Sequence, residues 1–192
     1  MKFNSKIKRF LIFFLIIIII FLLIDDISLR IGRIFYPLEY EEIIIENSKN
    51  YQVDPYLVAA IIFAESRFSP EVTSHKGARG LMQLMPDTAL WLAQRYKDEE
   101  ITPEQLFDPQ LNIKYGVRYL AFLYDRFDNN TVKVLAAYNA GHGKVSRWLR
   151  DKRWDGELEN ILMVPYYETR IYVQRVLRAY EHYQRFYDLK VD

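Results

Sequence analysis

The stretch DPYLVAAIIFA, from Asp54 to Ala64, leaves the fold of this chain the least freedom. Asp54 is a good N-cap and Pro55 suits the first helical position, so the pattern predicts a helix from there to about Phe68. Val58, Ile61 and Ile62 share a face with Glu65, while Leu57, Ala60, Phe63 and Ala64 leave little polar surface elsewhere. A helix apolar all round is buried, so the rest of the chain is expected to be organised about it. Glu65, in the last turns, then carries a carboxyl out of water. Desolvation disfavours its charged form and raises its pKa toward neutrality, which is the environment of a general acid. The alternative is a carboxylate that reaches the surface or pairs with Arg67 or Arg79.

Beyond Phe68 comes a polar loop and then the run GARGLMQLMP, Gly77 to Pro86. Two glycines three apart let the backbone turn sharply and approach a ligand. Met82 and Met85 offer an adaptable apolar floor, and Gln83 a donor and an acceptor.

The other segments read as helices in a single core. Leu38 to Tyr51 is amphipathic, with an acidic start that suits the helix dipole. Pro86 opens a helix to about Tyr96, and Lys97 to Glu104 reads as a charged, solvated loop. Asp108 and Pro109 begin another to about Phe127, and Asp128 to Asn130 form a turn. Thr131 is expected to cap the next helix, which runs through Tyr138 and Asn139 to an end at Gly141 and Gly143. These two side chains are either a core Tyr and a capping Asn or groups projecting into a groove. A last, tyrosine-rich helix runs from Pro165 to about Tyr187, with Glu168, Tyr172, Val176, Tyr180 and Tyr183 along one side. No segment shows sustained period-two alternation. The expected class is mainly α, with any sheet confined to the loop near Val72 to Arg79.

Four runs, Glu65-Ser66-Arg67-Phe68, GLMQLMP, Ala137-Tyr138-Asn139-Ala140-Gly141 and Glu168-Thr169-Arg170, resemble in order and spacing the motifs of the soluble lytic transglycosylase family. The resemblance covers about Tyr40 to Tyr187. It implies a lysozyme-like fold and cleavage of peptidoglycan glycan strands between N-acetylmuramic acid and N-acetylglucosamine. It also implies roles: Glu65 as the acid, with Ser74, Gln83, Met85, Tyr138, Asn139, Glu168 and Tyr180 as groove residues that contact substrate.

The usual glycosidase uses two carboxylates. Near the first run there is no clear second one, because Glu71 sits in a polar loop and Asp87 is a cap candidate. The expected reaction is therefore substrate-assisted, ending in 1,6-anhydromuramic products. A muramidase acting on the same bond and a non-catalytic wall-binding scaffold are the alternatives.

The N-terminus is of a different character. Lys2, Lys6, Lys8 and Arg9 stand in residues 1–9 without an acid, followed by an unbroken apolar run from Phe10 to Ile24. No small-x-small cleavage site follows. The expectation is a cytoplasmic tip at 1–9, a transmembrane signal anchor at 10–30, a connector at 31–37 and an extracytoplasmic catalytic domain at 38–192. A net charge of +1 gives no nucleic-acid footprint. Without cysteine, and with His75, His142 and His182 far apart, neither a metal nor a cofactor is expected.

Overall fold

The computed structural model describes residues 5–99 and 101–190, with side chains described for 11–20 and from 27 onward. Two compact units meet between Pro37 and Leu38. The first contains α1 (Ser5–Phe35), along which the apolar side chains of residues 11–20 are 40% to 62% exposed. Among the described residues no helix is long and apolar enough to cross a membrane. The expected anchor at 10–30 includes residue 10 and residues 21–26, whose side chains lie outside the described set.

The second unit is mainly helical. Its helices are α2 (Glu41–Tyr51), α3 (Pro55–Ser66), α4 (Pro86–Tyr96), α5 (Pro109–Arg126), α6 (Thr131–Ala140), α7 (His142–Arg150) and α8 (Tyr167–Phe186). Short 3-10 turns stand at Pro103–Phe107 and Ile161–Met163. The β pairing among the described residues is two isolated bridges, Thr73 with Arg79 and Arg79 with Leu84, in the loop between α3 and α4.

Helix α3 is the centre of the unit. Asp54 Oδ1 accepts the Tyr56 N–H at 2.8 Å, as a capping carboxylate should. Leu57 to Ile62 are all buried, and each of Leu57, Val58, Ile61 and Ile62 contributes about 2 kcal/mol by leaving water. The helix stops at Ser66, two residues short of the expected Phe68. Arg67 and Phe68 both turn left-handed, at φ 53° and 64°, and the Arg67 N–H closes the last turn on the Phe63 carbonyl. Its most extensive partner is α8, whose Val173, Val176, Ala179 and Tyr183 are buried. Phe63 and Phe68 meet the Tyr183 ring edge-on, at 6.1 and 6.3 Å between centroids.

Several local expectations are corrected. Helix α2 begins at Glu41, not Leu38, because Tyr40 is left-handed at φ 56°. The cap of α6 is Asn130, whose Oδ1 accepts the Lys133 N–H at 3.0 Å; Thr131 is the first helical residue. Gly141 does end α6, but Gly143 lies inside α7. In the segment read as a solvated loop, Asp98 is tied down by the Arg118 guanidinium, by the Tyr115 hydroxyl at 3.0 Å and by Lys114 at 3.3 Å. The Arg118 guanidinium holds the Asp98 carboxyl below the usual carboxylate range.

Candidate active site

Glu65 is half-buried in the last turn of α3. Burial raises its carboxyl from 4.5 to about 7; the Tyr172 hydroxyl and Arg175 pull it part of the way back, and Glu168 pushes it up. The ion-pair alternative is not found. Arg67 lies over the Phe63 ring, and Arg79 donates to Glu104 at 3.0 Å. Tyr172 is 2% exposed, and burial together with Glu65 pushes its hydroxyl well above its ordinary range, so it stays protonated. That hydroxyl is near enough to Glu65 to lower its pKa, yet it makes no full hydrogen bond with any group.

The loop facing Glu65 is built from backbone. Arg79 and Leu84 exchange N–H to carbonyl bonds at 2.9 and 3.0 Å, and the Gly80 N–H reaches the Val72 carbonyl at 3.0 Å. The Ser66 hydroxyl, shared between the carbonyls of Ile62 and Leu81, ties the loop to the end of α3. Asn112, on α5 and without exposure, accepts the Met82 N–H at 2.7 Å and donates to the carbonyls of Leu106 and Arg79 at 2.7 and 2.9 Å. Gly80 sits against it at φ 76°, where a Cβ would overlap the Asn112 amide and the Leu106 carbonyl. Met82 is fully buried against Gly116, so it belongs to the core and not to a groove floor.

A cavity of about 290 Å³ opens at Glu65 and brings seven of the expected residues together: Glu65, Ser74, Gln83, Met85, Tyr138, Asn139 and Glu168. The Ser74 oxygen accepts the Ala78 N–H at 3.0 Å and keeps its own O–H to give. Gln83, left-handed at φ 47°, spends its amide nitrogen on the carbonyls of Val72 and Gly80, both at 2.9 Å, which leaves its carbonyl oxygen. The Tyr138 hydroxyl donates to the Met82 carbonyl at 2.8 Å. Asn139 Oδ1 accepts the Thr169 hydroxyl at 2.8 Å, joining α6 to α8. Glu168 stands at the rim, 73% exposed.

Through Gln83, Met85, Tyr138 and Asn139 this cavity adjoins a second of about 200 Å³. That one shares Thr88, Tyr119, Ala140 and Gly141 with a third of about 550 Å³, bounded by Trp91, His142 and Lys144. The three lie side by side, with Tyr138, Tyr119 and Trp91 among their walls.

Tyr180 is the exception. Its hydroxyl donates to Asp54 Oδ2 at 2.6 Å, beside a separate cavity of about 380 Å³. Asp54 and Glu65 stand at opposite ends of α3, about 16 Å apart at 1.5 Å per residue, so Tyr180 is a strut at the far end and not part of the Glu65 cavity.

Comparison with known proteins decides the family. The profile described as the transglycosylase SLT domain matches residues 42–161, well over half of the chain. The chain belongs to the transglycosylase SLT domain family. This SLT domain is 37% identical over 156 residues to the soluble lytic murein transglycosylase of Escherichia coli K12, a match covering 79% of the chain and 24% of that relative. It is 34% identical over 168 residues to the membrane-bound lytic murein transglycosylase C of Shigella sonnei, covering 77% and 47%. The crystal structure of the 70 kDa soluble lytic transglycosylase from E. coli superposes with a TM-score of 0.76 at 34% identity, covering 81% of the chain and 25% of that structure. The chain thus spans about a quarter of the length of the soluble relative. The lysozyme-like fold expected from the sequence is the fold of this SLT domain.

Three residues of the SLT domain escaped the sequence reading as site elements: Asn112, Thr169 and the hydroxyl of Tyr172. Thr169 stands within a quoted run and Tyr172 on a named helix face, but the role of each, like that of Asn112, is set by a partner far along the chain.

Proposed function

We propose that this protein is a lytic transglycosylase that cleaves the β-1,4 bond between N-acetylmuramic acid and N-acetylglucosamine in peptidoglycan and leaves 1,6-anhydromuramic ends. Glu65 carries the reading: a carboxyl raised to titrate near pH 7, in a cavity with aromatic neighbours. Such a group donates a proton at neutral pH. The other carboxylate of that cavity is Glu168, exposed and paired to Lys76, which is not the buried nucleophile or water activator of the usual two-carboxylate scheme.

The substrate supplies the missing group. Glu65 gives its proton to the glycosidic oxygen as the bond to the anomeric carbon breaks, and the acetamido oxygen of the muramic acid attacks that carbon to form an oxazolinium. The 6-hydroxyl oxygen of the same sugar then displaces the acetamido oxygen, and the Glu65 carboxylate takes the hydroxyl proton. Acid and sugar return to balance, with an internal ether in place of water. The intramolecular hydroxyl is already held near the carbon it attacks. The Ser74 O–H, the Gln83 carbonyl oxygen and the Tyr138 oxygen are the groups left to orient the acetamido group, and exposed Met85 gives apolar contact. Both curated relatives bear the name lytic murein transglycosylase.

Replacing Glu65 with Gln keeps the shape and removes proton donation. Purified sacculi solubilised as fast by Glu65→Gln as by the parent would overturn the assignment. Mass spectrometry of the fragments tests the chemistry: anhydro ends are expected, and mainly reducing ends would make the protein a muramidase.

We further propose that the apolar run at 10–24 anchors the chain in the cell membrane, with the basic tip in the cytoplasm and the catalytic domain outside. Support comes from the basic residues before the run and from the row of exposed apolar side chains at 11–20, a surface that water penalises. Protease added to spheroplasts should then digest the domain while the chain stays with the membrane fraction. Released protein whose N-terminus lies near residue 26 would contradict the anchor.

A further inference from the structure

The Glu65 cavity has a cation at its rim that the cleavage scheme does not use. Lys76, in the loop between α3 and α4, is the one lysine or arginine that lines it. Its ammonium stands 3.7 Å from Glu168, and the two side chains are 80% and 73% exposed. A pair so long and so wet is weak, so Lys76 can exchange Glu168 for another anion at little cost. Glu168 is not stranded by the exchange. It lies in the first turn of α8, where the helix dipole favours a negative charge. With Glu65 protonated, no ionised carboxylate other than Glu168 competes for the ammonium within the cavity.

We infer that Lys76 binds a carboxylate carried by the glycan strand and so makes the site prefer strands with free acidic groups over strands in which those groups are amidated. The inference rests on the glycan-cleaving reading above. The muramic acid whose bond faces Glu65 offers such a carboxylate from two sources. One is the lactyl ether, when no peptide is attached; the other is the attached peptide. In either case the anion hangs beside the reacting sugar, and a flexible four-carbon stem with three donors can follow it. Amidation removes the charge while leaving the sugar backbone unchanged.

The test is binding, measured by calorimetry with the full chain in the Glu65→Gln background so that nothing is cleaved. Four strands are compared: peptide-free glycan with its lactyl carboxylate, peptide-bearing glycan with free carboxyls, and the amidated form of each. At low salt a carboxylate strand should bind up to about fivefold tighter than its amidated form, the range of one exposed ion pair, and added salt should erase the difference. Whichever pair shows the preference identifies the source. Lys76→Met should abolish the preference and Lys76→Arg should keep it; the position is solvent-exposed, and circular dichroism checks that the fold is intact. Equal binding of free and amidated strands, or a preference that survives Lys76→Met, overturns the inference and leaves the cleavage reading standing. Strands that bind in no form overturn both.

Discussion

Replacing Glu65 with Gln should stabilise the protein, and only at higher pH. The group titrates at 4.5 in the unfolded chain and at about 7 in the folded one. Below pH 4.5 both states hold the proton, so the carboxyl contributes no pH dependence. Between pH 4.5 and 7 the unfolded chain releases a proton that the folded chain retains, and stability falls as pH rises. Above about pH 7 the folded state bears the whole cost of a carboxylate out of water, on the order of 3 kcal/mol at about 1.4 kcal/mol per tenfold in proton affinity. Gln cannot ionise and escapes it, although its extra N–H donors add an offset that does not vary with pH. Urea unfolding of both proteins at pH 4 and pH 8 isolates the effect. The stability difference should move in favour of Glu65→Gln by about 3 kcal/mol between the two pH values. A difference that stays constant would refute the argument that burial sets the acid, whatever the activity of the variant.

If Glu65 is the acid of the proposed reaction, kcat/KM should fall on the alkaline side with a midpoint near pH 7; a flat profile from pH 6 to 9 would exclude Glu65 as the acid. Asn112→Ala removes three hydrogen bonds, two of them buried, and should cost about 3 kcal/mol in chemical denaturation, whereas a loss under about 1 kcal/mol would mean that the loop stands without its strut. Tyr180→Phe should lower stability by about 1–2 kcal/mol through the lost bond to Asp54 and leave kcat/KM unchanged; a fall in kcat/KM greater than the loss of folded protein would return Tyr180 to the site.

What the sequence disclosed depends on how far each determinant lies from its effect. The start of α3 was legible because Asp54 caps a backbone N–H two residues away. Apart from Ser74, the expected residues gathered at Glu65 were legible through four short runs. Asn112 was not, since its partners Met82 and Arg79 lie 30 and 33 positions back. Tyr180 followed the face of α8 correctly but meets a partner 126 positions away at the wrong end of α3. Helix α7 was missed because Gly143 was read as a stop; beyond its chain neighbours and the backbone of its own helix, no atom lies within 4 Å of where its Cβ would be, and the first turn of a helix tolerates a glycine. Asp98 looked solvated among charged neighbours, yet Arg118, from the following helix, holds it.

The packing of α3 against α8 also sets a clock. Glu65 leaves the ribosome about one third of the way along the chain, but α8, the most extensive partner of α3 in the burial that raises its pKa, comes last. A nascent or partly unfolded chain therefore carries an ordinary glutamate that is ionised at neutral pH and has no proton to give. The reactive carboxyl comes into being when the final helix docks, by the same contact that completes the core. Under the proposed mechanism, loosening α8 should disarm the protein with Glu65 itself unchanged, so that incomplete copies carry no working acid.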